Sequence, residues 1–179
     1  VGLPLGGAKG GIKVDPNDLS RAELQALTRR YTTEISMMIG PEKDIPAPDI
    51  GTDGQTMAWM MDTYSQLGGY AVPGVVTGKP IAIGGSLGRA ESTGKGVVFC
   101  INFAYEKLGK KVGTSTTVAI HGFGKVGMPA AQDLDAQGAK IVAISDVSGA
   151  IYNPKGLDIP ACVEWVRSRK YLKDMPGAE

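Results

Sequence analysis

Histidine is nearly missing from this sequence and cysteine is scarce: His121 stands alone, and Cys100 and Cys162 are the two thiols in 179 residues. With one imidazole and no CxxC spacing there is no set of ligands for a zinc ion, and no metal site is expected. Two cysteines so far apart read as reduced, mostly buried thiols, which points to a cytoplasmic setting. No apolar run approaches membrane-spanning length, and the first residues lack the basic-then-apolar order of a secretory signal, so no membrane partner is expected. An excess of one charge is missing as well. The formal net charge of +1 gives no general reason to expect nucleic acid or an anionic surface as a partner.

Glycine is what the chain has in abundance, 26 residues clustered in loops with no collagen-like period. Apolar content of 42% and charged content of 21% are ordinary for a globular protein, and the length allows one large domain or two small ones. The chain opens without methionine inside an apparent structural segment, and the expectation is a fragment of a longer protein.

Four of the glycines surround Lys9 in "LPLGGAKGGI". Glycine permits positive φ and removes the side chain that keeps other groups away, so this run lets a ligand approach and the lysine face it. A solvated surface turn is the competing reading. The apolar flanks Pro4, Leu5, Ile12 and Val14 argue that the loop lies against a core, where a partly desolvated lysine would be suited to proton transfer.

Ser20 and Glu23 then form a capping-box pattern, and Leu24, Leu27, Tyr31, Ile35 and Met38 recur at helical spacing, predicting an amphipathic helix that ends at Gly40-Pro41. "DIPAPDIGTDG" follows as a tight extended segment containing Asp49, which read alone is a turn residue capping the next helix. "QTMAWMMDTYSQLGG" predicts a mostly buried helix. From Val72 to Arg89 the sequence gives short β-like runs broken by Gly and Pro, a crossing between two lobes. A long helix is expected over "ESTGKGVVFCINFAYEKLG", its small residues allowing close packing.

The next segments are a β-branched run "STTVAI", the turn "HGFGKVG", a helical "MPAAQDLDAQGA" and a second strand "KIVAIS" ending at Asp146. Strand, glycine turn, helix, strand and acid make up a dinucleotide-binding unit. Gly122 permits the tight turn, Gly124 lets backbone amides approach a pyrophosphate, and Gly127 lets the helix pack on the strand; Phe123, Lys125 and Val126 complete the cofactor-facing loop. Asp146 is placed to accept hydrogen bonds from ribose hydroxyls. His121 is expected to end a buried strand and contact the backbone near the cofactor, without a catalytic role. Beyond Asp146 a turn and a helix carrying Ala161, Val163 and Trp165 are expected, then a polar remainder without strands.

"LPLGGAKGGI", "DIPAPDIGT", "GVVTGKP", "GGSLGRAESTGKGV", "HGFGKVG" and "SDVSGAIYNPKGLD" occur in the order and approximate spacing of the glutamate dehydrogenases, and over nearly its whole length the chain resembles that family within the wider amino-acid dehydrogenases. The resemblance implies an α/β protein: a substrate domain of mixed sheet and helices over residues 1–81, then a truncated Rossmann-like dinucleotide-binding domain over residues 82–179, with the active site in the cleft between them. It implies that Lys9 is the catalytic lysine and Asp49 the proton-transfer carboxylate. Thr77 matches a substrate-contacting threonine, the backbone at Ala47 lies near the substrate amine, Arg89 serves the cleft or bridges the domains, and Thr93 lies near the nicotinamide carboxamide. Lys125 stands where many relatives carry asparagine.

The implied reaction interconverts L-glutamate with 2-oxoglutarate and ammonium, using NAD or NADP in a homohexamer. NAD is preferred, because Asp146 would bind ribose hydroxyls and repel a 2′-phosphate; Ser145 and Ser148 leave room for NADP. Leucine, valine or phenylalanine dehydrogenase chemistry is the alternative within the superfamily, and a non-catalytic nucleotide-binding module the alternative outside it. The family's substrate-carboxylate lysines fall outside these residues, so the 179-residue piece alone is expected to turn over poorly.

Overall fold

A computed structural model describes residues 2, 4, 6–168 and 171–176. The chain forms two compact units, the first ending at Leu87 and the second beginning at Gly88. Among the described residues no helix is long and apolar enough to cross a membrane.

In the first unit α1 (Arg21–Ile35) begins at the expected capping box: the Glu23 N–H donates to the Ser20 hydroxyl at 3.3 Å, and the Ser20 N–H donates to the Glu23 carboxylate at 2.8 Å. The helix stops earlier than predicted. Ser36 turns both its hydroxyl and its N–H to the Thr33 carbonyl, at 2.8 and 3.3 Å, which closes the last turn and leaves Met37 and Met38 exposed. α2 (Gly54–Gly68) is capped by Asp53, which accepts the Thr56 N–H at 2.9 Å, and ends at Gly69, whose φ of +76° suits a residue without Cβ.

Threonine is the buried residue of α1. Thr28 and Thr32 are enclosed, as is Thr63 on α2, and their hydroxyls reach the carbonyls one turn back, at 2.8 Å in each case. Arg29 of α1 also bonds Asp62 and Thr63 of α2. The apolar stripe Leu24, Leu27 and Tyr31 is half-buried, and Leu27 lines an open groove along Ile12–Val14. The core of this unit is Met57 and Met60 with Ile39, Val72, Val75 and Val76.

The expected β-like runs between Val72 and Arg89 are instead two 3-10 turns, Pro73–Val75 and Ile81–Ile83. Val75 and Val76 are taken into the core, and among the described residues no strand pairs with them. Gly85 explains how tightly this segment folds back: a Cβ there would lie 2.1 Å from the Lys79 carbonyl oxygen.

The second unit is layered. α3 (Arg89–Lys107) precedes β1 (Thr117–His121), α4 (Gly127–Ala136), β2 (Lys140–Asp146), β3 (Gly149–Tyr152) and α5 (Ile159–Arg167). β1 and β2 are parallel, β2 and β3 antiparallel, in the order β1-β2-β3. The α/β class expected from the sequence is present, and its mixed sheet belongs to this unit; in the first, the described residues form only an isolated bridge between Ile39 and Asp44. Val98, Phe123, Leu134, Ile141, Ile144 and Ile159 lie at the centre of one core. α3 crosses α4 closely, because a Cβ on Gly94 would lie 2.7 Å from the Val126 carbonyl oxygen.

Three expectations are corrected here. β3 stands where a turn was expected after Asp146, and Leu172, in the remainder read as polar, is fully buried in the 3-10 turn Leu172–Asp174. Cys100 was expected to be buried and is exposed on the outer side of α3, whereas Cys162 is buried; burial, then the Asp158 carboxylate, push its thiol up to about 11. His121 ends β1 exposed, and its Nδ1 pairs with the Ser145 hydroxyl at 3.0 Å, so its partner is a side chain and not backbone.

Candidate functional site

Lys9 and Asp49, 40 residues apart in sequence, meet in the first unit with Nζ 2.7 Å from Oδ2. The turn from Asp49 to Thr52 supports the carboxylate. The Thr52 N–H donates to the Asp49 carbonyl at 3.2 Å, the Asp49 N–H donates to the Thr52 hydroxyl at 2.7 Å, and Asp49 Oδ1 accepts the Ile50 N–H at 3.1 Å. Asp49 is therefore a turn residue, as its local sequence suggests, while the cap of the following helix is Asp53. The carboxylate meets the lysine through Oδ2.

The expectation that the glycine loop lies buried against a core is not met. Residues 6–15 form no strand and are exposed, Lys9 has 88% of its side chain accessible and Asp49 65%, and Ile12 and Val14 are themselves exposed. Leu5, expected among the apolar flanks, lies outside the described residues. A lysine on an unpaired extended segment is approached by its ion-pair partner and not by a core.

Thr77 and Ala47 are brought to the same place. The Thr77 N–H donates to the Pro46 carbonyl at 2.9 Å, and a Cβ on Gly78 would lie 2.6 Å from Pro48, so the 46–49 and 77–78 segments run in contact with Thr77 and Ala47 both exposed. Arg89 and Thr93 belong to the second unit, both exposed in the first turns of α3, with Thr93 beside the Gly94 contact to α4.

The fingerprint loop is tied to the sheet by backbone: the N–H groups of Gly122 and Phe123 both donate to the Ser145 carbonyl, at 2.9 and 2.7 Å, with Phe123 buried beneath. Gly122 has φ of +98°, and a Cβ on Gly127 would sit 1.9 Å from the Gly122 carbonyl oxygen, so no other residue fits there. Around Gly122 and Gly124, by contrast, a Cβ would meet nothing within 4 Å. Lys125 and Val126 are exposed, and no side chain caps the N-terminus of α4. Open space in front of an uncapped helix N-terminus is what a pyrophosphate requires, and the residues present fit a dinucleotide.

Asp146 ends β2 beside this loop, but its carboxylate is already engaged: Oδ1 accepts the Ser148 N–H at 2.7 Å and the Ser148 hydroxyl at 2.5 Å. Partial burial pushes its pKa up, and the Ser148 hydroxyl with the N–H groups of Ser148, Leu172 and Gly149 outweighs that and holds it below the ordinary aspartate value. Local reading did not anticipate Thr52 or Ser148 as supports. The signals were present in the spacings Asp49-x-x-Thr52 and Asp146-x-Ser148, which suit side-chain-to-backbone turns.

A family model described as Glutamate/Leucine/Phenylalanine/Valine dehydrogenase matches residues 84–179, and one described as the dimerisation domain of the Glu/Leu/Phe/Val dehydrogenases matches residues 1–66. Glutamate dehydrogenase A2 of Halobacterium salinarum is 57% identical over 159 residues, covering 89% of this chain and 38% of that protein. The glutamate dehydrogenase of Thermotoga maritima is 48% identical over 183 residues, covering 100% of this chain and 43% of that one. Among solved structures, the hetero-hexameric glutamate dehydrogenase of Thermus thermophilus in its Leu-bound form superposes with a TM-score of 0.90 at 42% identity, over 97% of this chain and 41% of that one. The chain spans less than half the length of these relatives.

Proposed function

Because the chain belongs to the Glutamate/Leucine/Phenylalanine/Valine dehydrogenase family, we propose that the protein carrying it interconverts L-glutamate with 2-oxoglutarate and ammonium, using a nicotinamide cofactor. The supporting observation is the Lys9–Asp49 pair, a cation and a carboxylate 2.7 Å apart on exposed loops where a substrate can reach both.

In this reading the Lys9 ammonium donates to the carbonyl or imine of the substrate, stabilising charge that develops there as water adds and ammonia leaves. Asp49, held by its own turn, moves protons to and from the substrate nitrogen. Ala47 and Thr77, brought beside Asp49, would contact the substrate amine and the rest of the amino acid, with Arg89 as a further polar contact. The cofactor, when bound, supplies the acceptor or donor of the hydride at the substrate Cα. Gly122, Phe123, Gly124, Lys125, Val126 and Gly127 would hold its pyrophosphate, Thr93 its carboxamide, and Asp146 its ribose. The first unit thus takes the substrate role and the second the cofactor role. NAD is the preferred cofactor because the Asp146 charge disfavours a 2′-phosphate. A hexamer in the cytoplasm completes the proposal, the assembly being supported by the hexameric structural relative.

The test is a full-length assay with 2-oxoglutarate and ammonium, comparing NADH and NADPH by absorbance. Oxidation of NADH in excess of NADPH is the expected outcome. Failure with both, and turnover with a branched-chain or aromatic 2-oxo acid, would move the substrate to another member of the family. Lys9→Ala is expected to lower kcat by roughly a hundredfold or more, the range of a lost acid–base group; unchanged turnover would remove Lys9 from the chemistry.

A further inference from the structure

Lys9 raises a mechanical question. It sits on an exposed loop with glycines at 6, 7, 10 and 11 and no ladder hydrogen bonds, and an exposed ion pair contributes too little by itself to hold such a segment in one geometry. Asp49 is fixed by the turn that Thr52 closes. The loop bearing the lysine needs a support of its own.

Two close approaches supply it. The Tyr31 hydroxyl oxygen stands 2.9 Å from the position a Cβ on Gly10 would take, the residue next to Lys9. Farther along, the Pro16 Cγ stands 3.4 Å from the Cβ position of Gly51, whose φ is +71°, so the end of the extended segment touches the turn that carries Asp49. Tyr31 is half-buried and lies on α1 between Thr28 and Thr32, the two threonines that this helix buries. The buried stretch of α1 therefore presents the Tyr31 ring end-on to the glycine loop at Gly10.

We infer that Tyr31 is a positioning residue for the Lys9–Asp49 pair: by backing the loop at Gly10 it keeps the lysine amine against the carboxylate. A Cβ at position 10 would press on that hydroxyl, 2.9 Å away, and push the loop and the ring apart. The inference rests on the catalytic reading of Lys9 and Asp49 for its consequence in turnover, and on the geometry alone for the contact.

The experiment compares Tyr31→Ala, Tyr31→Phe, Gly10→Ala and the double variant Gly10→Ala/Tyr31→Phe in the full-length protein. Tyr31→Ala is expected to lower kcat roughly ten- to a hundredfold, the cost of misplacing a reacting group, with the cofactor KM within about twofold of wild type. Tyr31→Phe keeps the ring and retains turnover. Gly10→Ala loses turnover, and removing one oxygen atom in the double variant restores it, a rescue that general destabilisation would not give. Should Tyr31→Ala fail to fold, the Gly10→Ala and double-variant pair carries the test. Wild-type kcat in folded Tyr31→Ala or in Gly10→Ala, or no rescue in the double variant, overturns the inference. Acetylation of Lys9 by acetic anhydride, mapped by mass spectrometry, separates this from the proposed reaction. Faster Lys9 labelling in Gly10→Ala, reversed in the double variant, supports the contact even in a protein that does not act on glutamate. Equal labelling in all variants overturns it.

Discussion

The two units hold their exposed loops by different means. In the second, the loop from Gly122 to Gly127 hangs from the ends of two paired strands, with Phe123 buried beneath it in a core that also takes in Leu134, Ile141 and Ile144. In the first, the core is six residues, Ile39, Met57, Met60, Val72, Val75 and Val76, none of them in the segment that carries Lys9. The phosphate-binding geometry proposed for the second unit is thus a by-product of packing, while the Lys9–Asp49 geometry depends on a few contacts between loops and one helix. Damage to the second unit should spread from core to loop; damage to the first can stay local.

The largest effect on cofactor binding should come from Gly127→Ala. Its Cβ would lie 1.9 Å from the Gly122 carbonyl oxygen and 3.1 Å from Ile120, so strand, turn and helix cannot all keep their places. NADH affinity of the full-length protein, followed by nucleotide fluorescence, is expected to weaken by roughly a hundredfold, about 2.7 kcal/mol, with a lowered melting temperature. Gly124→Ala, which meets nothing within 4 Å, should melt as the wild type does. Equal melting temperatures for the two variants would break the link between loop and packing.

A contrast in stability alone lies in the buried side chains. Leu134→Ala removes a side chain only 1% exposed in the second unit's core, and is expected to cost about 2–5 kcal/mol in chemical denaturation. Thr32 is fully buried in the first unit, yet its hydroxyl supplements a helix carbonyl that Thr32 N–H, one turn on, can already satisfy. Thr32→Val is expected to change stability by about 1 kcal/mol or less. A larger loss in Thr32→Val than in Leu134→Ala would reverse the ranking of the two units.

The parts legible in the sequence were those encoded locally. Ser20 with Glu23, Gly69 and the glycines from 122 to 127 each specify a cap or a turn within a few residues, and α1, α2 and the β1–α4–β2 unit followed from them, while α3 followed from the small residues and helical run of its own segment. What escaped depends on contacts distant in sequence. Val75 and Val76 have strand composition but no strand to pair with among the described residues, and Cys100 lies on a helix face that none of those residues covers. β3 is four residues long and follows a turn organised by Asp146 and Ser148, without the Asn-Gly signal of a tight hairpin. At the candidate site, no local pattern joins Lys9 to a carboxylate 40 residues away. Family resemblance suggested that pairing, and local patterning gave the wrong burial for the loop because an apolar flank does not say what covers it.

Acid provides the gentlest way to separate the units, since each carries a carboxyl held below its ordinary pKa: Glu23 by the Ser20 hydroxyl and then the Ser20 N–H, and Asp146 by the donors of its turn, which outweigh its partial burial. In both cases the unfolded chain takes up its proton first as pH falls, so the contribution to stability is complete above the ordinary value and is lost as pH falls through the folded one. The ordinary values are 4.5 for the glutamate and 3.8 for the aspartate. The α1 N-terminus should therefore begin to loosen at a higher pH than the β2–β3 turn. Amide exchange at Leu24 and at Ser148, followed between neutral pH and the acid limb, reads the two events separately. Glu23→Gln should abolish the first pH dependence and leave the second, and Asp146→Asn should do the reverse; one shared transition that responds to both substitutions would show that the two units lose their acid stability as a single body.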